Sequence, residues 1–493
     1  MRRVITTIII LLFGLGCGKP SSNIESGLRD QVLHLGNGAE PQSLDPHLAT
    51  SVGAHHIMSS LLEGLMAENP KTLEPEPGVA KSWVISEDRK TYTFTLREDA
   101  KWSNGDPVKA SDFVYSYRRI LNQELAAQYG YMVQALKNGK LFNTGKKCSS
   151  GVWLLVKDGP PKVVAHPEAW EALDDAGRAK VLAALQPEGE DVTGECILCD
   201  QPTKLQPLDW DDWDRCEVGA RAIDDHTLEL KLENPTPYFL ELLNHYTFWP
   251  VHPPTIESFG ARTKRGTGWA LPGKYVGNGP FTLEEWQINA RSVVKKNLNY
   301  WDRDTVKLNE IRFYPIESVD TEERAFRSNF IHNTQTVPPY RIDWHKKNNR
   351  DSLHVDTYLG VYFYRFNTER KPLDDVRVRL ALALSIDREA LVKHVLRAGP
   401  QPAYNYTPPG TGGFTAGPQF KADVKEAKRL IAEYLKETGQ SSVPEFELRY
   451  NTSESHKKVA EAIQAMWKKE LGVDVILDNQ EWKVFLKSVE TQD

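Results

Sequence analysis

Residues 91–121 read TYTFTLREDAKWSNGDPVKASDFVYSYRRIL, a strand, a turn and a helix in succession. Tyr92 to Arg97 alternates apolar and polar residues, the period of a half-buried strand. Lys101 to Pro107 is turn-rich, and Asn104-Gly105 offers the positive φ that a tight turn demands. Ser111 is the predicted N-cap of a helix whose apolar stripe is Phe113, Val114, Tyr117, Ile120 and Leu121. The stripe itself needs no function beyond core packing.

The same alternation of strand and helix recurs outward from this stretch. Thr227 to Leu232 alternates as a strand. Tyr358 to Phe366 (YLGVYFYRF) is apolar and aromatic on both faces, the pattern of a strand buried in the middle of a sheet. Val376 to Leu396 reads as one helix or two short ones. Asn451-Thr452-Ser453 leads into an amphipathic helix with Val459, Ile463, Met466 and Leu471 on one side. Gly472 ends it, and Val473 to Leu477 reads as a strand. The fold class is α/β.

Composition narrows the function. With 493 residues the chain is long enough for two or three packed lobes. Lys+Arg total 61 against 67 Asp+Glu, a net charge of -6, which argues against a nucleic-acid partner because that needs a concentrated basic face. A mean hydropathy of -0.49 excludes a multi-span membrane protein. The 13 Trp, 18 Tyr and 17 Phe supply a core and aromatic-lined pockets.

The N-terminus sets the compartment. Arg2-Arg3, the apolar run Val4 to Phe13 and the small residues Gly14-Leu15-Gly16 before Cys17 describe a secretory signal peptide, so the protein is exported. The run is shorter than the ~20 residues of a transmembrane helix. Small residues directly before Cys17 resemble the lipobox of bacterial lipoproteins, with Gly14 where Leu is usual. Residues 1–17 are thus a signal peptide with a candidate lipobox, Cys17 the lipidation site and 18–31 a tether. Cleavage near Gly16 with Cys17 incidental is the plainer alternative.

Cys148, Cys196, Cys199 and Cys216 all fall within residues 137–217, a stretch that reads as an inserted subdomain. In an oxidising compartment they read first as two disulfides. The spacing Cys196-Ile-Leu-Cys199 also suits half of a Cys₄ zinc site, and a redox pair is the third reading. Catalytic signatures are missing: neither G-x-S-x-G nor H-E-x-x-H occurs. Gly139 to Lys146 (GKLFNTGK) has five residues between its glycines where a phosphate-binding loop has four. His55-His56 are adjacent and read as surface or core histidines rather than a metal pair. The sequence demands no enzyme and no cofactor.

Many short motifs in a fixed order carry a resemblance. Pro41-Gln42-Ser43-Leu44-Asp45-Pro46, Glu63-Gly64-Leu65, Pro77 to Trp83, Tyr92 to Arg97 and Trp102 to Asp106 open the series. After the Cys-bearing stretch it resumes with Asn234 to Phe239, Asn278-Gly279-Pro280-Phe281, Glu285-Trp286 and Asn299-Tyr300-Trp301. Asp375 to Arg379, Ile386-Asp387-Arg388, Pro402-Ala403-Tyr404, Asn451-Thr452 and Asn479 to Trp482 complete it. The chain resembles family five extracellular solute-binding proteins, the oligopeptide-binding subunits of ABC importers.

That resemblance implies a periplasmic-binding-protein type II-like Venus flytrap with an additional lobe. Residues 32–62 and 253–326 would form lobe I, 63–252 lobe II with the insertion at about 137–217, and 327–493 an incomplete lobe III. Family members continue for about a hundred residues past the counterpart of Asp493, so the C-terminal part is expected to be missing. The resemblance further implies an extended peptide held by backbone hydrogen bonds, its side chains in hydrated pockets. Thr50, Ser51 and Val52 would supply one pairing edge, and His245 and Trp482 pocket walls. It implies a monomer, oligopeptide ligands, ABC permease subunits as partners, and a periplasmic or cell-surface place on a lipid anchor. Another solute, such as a cell-wall peptide or metal chelate, a thiol or zinc protein, and a non-functional paralogue are the rival readings.

Overall fold

The computed structural model describes residues 22–144, 152–154, 162–164, 218–356, 358–397, 399–411, 414, 416–417 and 420–491. Residues 1–17, the first part of the expected tether, Cys17, Cys148, Cys196, Cys199 and Cys216 lie outside them. The chain forms two compact units. One takes the residues up to Gly36 with Ser318–Phe446 and Ser453–Val475; the other takes Asn37–Glu317, Glu447–Thr452 and Ile476–Asp493.

In the larger unit, helix α1 (Val52–Leu61) precedes strands β1 (Ala80–Ile85) and β2 (Thr91–Leu96), then helix α2 (Ala110–Leu121). Strands β3 (Ala220–Asp224) and β4 (Thr227–Lys231) complete an antiparallel sheet in the order β1-β2-β4-β3. Its register sets Trp83 opposite Phe94 and Phe94 opposite Leu228. The alternation read in the sequence holds: Tyr92, Phe94, Leu96, Leu228 and Leu230 are buried, as are Phe113, Tyr117, Ile120 and Leu121 of α2. The helix starts one residue before the predicted N-cap Ser111, because Asp112 does the capping. Its Oδ2 accepts from the Lys109 N–H at 3.0 Å and from Trp102 Nε1–H at 2.9 Å.

Strands β5 (Phe281–Gln287), β6 (Arg291–Lys296) and β7 (Glu310–Tyr314) run antiparallel to their neighbours in that order. The end of α1 is clamped beside them. Gly279 N–H donates to Leu61 O at 2.9 Å, and a Cβ on Gly277 would lie 2.1 Å from that oxygen. The described residues on either side of the stretch 145–217 meet at Lys231. Lys137 N–H donates to Lys231 O and Gly219 N–H to Lys137 O, each at 2.8 Å.

In the smaller unit, the helix Val376–Leu384 packs against Val424–Thr438, and Trp467 of the helix Glu454–Leu471 donates Nε1–H to Leu382 O at 2.9 Å. Val459, Ile463 and Trp467 form the buried stripe, with Met466 half-buried, and Gly472 at φ 70° ends the helix as expected. The following strand is Val475–Gln480, shifted from the predicted Val473 to Leu477.

Two expectations fail here. Asn23–Asp30, within the expected tether, is a helix: Ser22 and Glu25 cap its start reciprocally, and Gly27 is buried against Val32 O and His332. Tyr358 to Phe366 belongs to no strand among the described residues, with Tyr358 85% and Tyr362 51% exposed. Aromatic richness signals a tendency to be buried, but a strand forms only where another strand supplies its hydrogen bonds.

Candidate functional site

The expected pairing edge is built on a buried anchor. Just before it, Asp45 takes a bidentate grip from Arg119, with Nη1 to Oδ1 at 2.9 Å and Nη2 to Oδ2 at 2.6 Å. The His47 N–H donates to Oδ1 at 3.0 Å, and Tyr275 O–H donates to Leu44 O at 3.1 Å. Burial alone would raise the Asp45 pKa; the guanidinium outweighs it and keeps the carboxyl below its ordinary value. The His47 ring, fully buried and beside the same cation, is pushed down to about 3 and stays neutral. Leu44-Asp45-Pro46 is therefore fixed, and the backbone that follows it is aimed.

Thr50 and Ser51 are half-buried and lead into α1. Ser51 is the N-cap, extended at φ -108° and ψ 147°, with its Oγ accepting from Ala54 N–H at 3.2 Å. Val52 occupies the first helical position, where a backbone N–H has no partner within the helix, and is 54% exposed. Gly53 is needed next: a Cβ there would meet Asn37 O at 2.9 Å.

Trp482 opens helix α3 (Trp482–Thr491) and stacks on Phe485, ring centroids 6.0 Å apart. Leu486 of the same helix lines a crevice with Gln42, Ser43, Ala49, Thr50 and Ser51, too narrow to hold a water molecule. The structure thus brings the helix of Trp482 to Thr50 and Ser51 through Leu486 rather than through the tryptophan. A cavity of about 330 Å³ is lined by Glu40, Asn289, Pro315, Glu317, Glu481 and Lys483. Glu40 is held by Trp286 Nε1–H at 2.7 Å and Asn289 N–H at 2.9 Å. Burial, then the charge of Glu481, raises the Glu317 pKa. Sequence reading missed these acids because nothing in their spacing shows that they converge.

His245 stands in a cluster of rings. It stacks on Tyr246 at 4.2 Å and meets Tyr129 edge-on at 5.6 Å. His55, one turn beyond Val52 on α1, lies 5.5 Å from Tyr246 and 5.9 Å from Trp249. Burial and then the neighbouring His55 lower His245 to about 4, and burial and then His56 lower His55. Both rings are neutral near pH 7. The adjacent histidines seemed unremarkable in sequence; only folding sets them among residues from three separate stretches.

A second carboxylate, half-buried, lies between β2 and the segment after β6. Glu63 accepts from Tyr300 O–H and Trp301 Nε1–H, both at 2.7 Å, while Arg97 stacks 3.6 Å above the Trp301 ring. Burial nevertheless pushes its carboxyl up to about 7. Among the described residues no group of three His, Cys, Asp or Glu could hold a metal, and no helix is long and apolar enough to cross a membrane.

These α/β units have the fold of the type II-like periplasmic binding proteins, the class of receptors that bind solutes outside the cytoplasm. Residues 74–493 match the bacterial extracellular solute-binding proteins, family 5 (middle), and the chain belongs to that family. It is 34% identical to the oligopeptide-binding protein OppA of Bacillus subtilis (strain 168), over 99% of this chain and 79% of the relative. To the periplasmic oligopeptide-binding protein OppA of Escherichia coli (strain K12) it is 36% identical, over 92% of this chain and 72% of the relative. A solved structure of Haemophilus influenzae OppA in complex with RPPGFSPFR superposes with a TM-score of 0.75. It shares 30% identity and covers 94% of this chain and 78% of its own.

Proposed function

We propose that this chain is the peptide-binding receptor of an ABC importer and catalyses no reaction. The observation that carries the reading is the similarity, over nearly the whole chain, to relatives named for binding oligopeptides. The local geometry agrees with it. An extended segment at Ser51 gives way to a first-turn N–H at Val52 that has no partner within the helix, on a backbone fixed by the Asp45–Arg119 pair. Such an edge can pair with a peptide main chain whatever its side chains, so it favours peptides as a class over any one sequence. In this reading His245, within its ring cluster, and Trp482, on the helix whose Leu486 lies at Thr50 and Ser51, wall the side-chain pockets.

Ligand contacts that differ between two conformations would drive the receptor to its bound state, which then docks on the permease. Export follows from residues 1–17, with Cys17 carrying the lipid that holds the protein at the periplasmic or cell surface as a monomer. Cys148, Cys196, Cys199 and Cys216 form two disulfides in that oxidising compartment. Thiol titration and metal analysis test this; free thiols with bound zinc would replace it.

The deciding experiment is native mass spectrometry of the chain from Gly18 on, purified without added ligand, followed by calorimetric titration with mixed peptides. A ladder of adducts that sequence as peptides, and saturable heat, are expected. A bare mass with no heat from any peptide overturns the reading. Cys17→Ser should abolish fatty-acid labelling in a bacterial host and release the protein from the membrane fraction.

A further inference from the structure

The chain enters its smaller unit through the helix Asn23–Asp30, which is docked by its first turn. Asn23 Nδ2–H donates to Phe330 O at 3.1 Å, and Ile24 N–H donates to Asn329 O at 3.3 Å. Only Gly18 to Ser21 separate Ser22 from Cys17. Fully extended, that length of backbone spans at most about 17 Å. A lipid on Cys17 therefore keeps Asn329 and Phe330 close to the membrane it enters.

Phe330 follows the helix Val319–Arg327, its N–H donating to Ala325 O at 2.9 Å. Asp320, Glu323 and Arg327 lie along one face of that helix, and each takes a partner from the segment Tyr340 to His345. Tyr340 O–H donates to Asp320 Oδ1 at 2.7 Å, and His345 Nε2 lies 3.3 Å from Glu323 Oε1. The Arg327 guanidinium stands 6.0 Å from the centre of the Trp344 ring, and that of Arg341 stands 5.9 Å from it. These rings remain open to solvent: Phe330 is 41%, Trp344 39% and Tyr340 50% exposed. Between Arg324 and Asp351 the exposed cations are Arg324, Arg327, Lys346, Lys347 and Arg350, and they outnumber the exposed carboxylates Asp343 and Asp351. The chain as a whole has the opposite balance, with a net charge of -6.

We propose that Phe330, Tyr340 and Trp344, with the cations around them, form a face that lies on an anionic phospholipid surface. The inference rests on the reading that Cys17 carries a lipid. Aromatic rings with basic residues between them suit the headgroup layer of a bilayer, where the rings reach the acyl boundary and Lys and Arg meet phosphates. The short tether supplies a high effective concentration, so a face too weak to hold the free protein suffices for the anchored one. A long tether would favour no surface of the protein over another. One of four residues, ending beside Phe330, selects this face. The lipid anchors the receptor and the face orients it.

The test uses the full chain, expressed in a bacterial host fed labelled fatty acid and reconstituted in vesicles of phosphatidylcholine and phosphatidylglycerol. Bromine on the acyl chains quenches tryptophan at short range, so emission should fall relative to unbrominated vesicles. Trp344→Phe should remove about half of that fall or more. Lys346→Glu with Lys347→Glu, at two exposed positions that folding tolerates, should reduce it about twofold, as should vesicles of phosphatidylcholine alone. Labelled protein that shows no quenching overturns the membrane face while the anchor stands. So does quenching that W344F or the charge reversal leaves unaltered, or that is equal on phosphatidylcholine alone. If Cys17 takes no label, the anchor reading fails and this inference with it, because nothing then brings the face to a membrane.

Discussion

Arg119→Met isolates the anchor that aims the Thr50–Val52 edge. The substitution fills much of the same volume but strands the Asp45 carboxylate, which loses contacts at 2.9 and 2.6 Å. It also leaves Ala261 O without the Nε–H that now donates at 3.1 Å. Both charged side chains are almost wholly buried, so water does not replace what is lost. Breaking a buried pair from one side costs about 3–5 kcal/mol, and an orphaned buried carbonyl about 1 kcal/mol more. Urea unfolding of the larger unit at pH 7, followed by tryptophan fluorescence, should show a loss of roughly 4–6 kcal/mol by that arithmetic. The pH dependence carries the sharper signature. In the wild type the lowered Asp45 pKa contributes stability above the unfolded value, lost as pH falls through the folded one. In the variant the stranded carboxyl has a raised pKa, so its penalty is full above that pKa and relieved as pH falls toward ~4. The two stability curves should converge in acid. Replacing both partners, Asp45→Leu with Arg119→Met, should recover most of the loss. A loss below about 1 kcal/mol, or a penalty constant from pH 7 to 4, would refute the claim that this pair is the anchor.

Val52→Pro tests the pairing edge directly. Proline is tolerated at the first helical position and suits an extended Ser51, so stability should change by less than about 1 kcal/mol, while the lost N–H should weaken peptide binding about three- to tenfold. Calorimetry showing unchanged affinity would remove Val52 N–H from the site. Glu63→Gln addresses the carboxyl raised to about 7. The folded state holds an extra proton between the unfolded value near 4.3 and about 7, so this residue makes stability fall as pH rises through that window. Urea midpoints at pH 5 and 8 should differ less in the variant than in the wild type, by about 2 kcal/mol in stability. Gly219→Ala would place a Cβ 2.1 Å from Lys231 O and should cost about 1–3 kcal/mol by thermal unfolding.

Local pattern carried much of the architecture. Tyr92, Phe94 and Leu96 alternate, and so do Leu228 and Leu230; a period of two needs only neighbours along the chain to be read. Ser453 and Gly472 bracket their helix because caps are properties of single residues. Ser111 misled as an N-cap since the competing carboxylate, Asp112, has a second donor in Trp102, ten residues back in the chain. Asn23–Asp30 looked like a tether through its polar composition, yet Glu25 and Ser22 close the helix start and the unit buries Gly27.

The sequence by itself determined the α/β class and, through an ordered series of motifs, the resemblance to a family that the chain belongs to. It placed Thr50, Ser51 and Val52 after Leu44-Asp45-Pro46 because those residues are contiguous. Tertiary structure alone decided what surrounds them. Arg119 reaches Asp45 across 74 positions, Leu486 meets Thr50 and Ser51 from the far end of the chain, and His55 and His245 join one ring cluster. Whether Tyr358 to Phe366 became a buried strand was likewise not written in its own residues. Periodicity records what a segment would bury; burial, charge shifts and hydrogen-bond partners depend on which distant segments the fold brings to it.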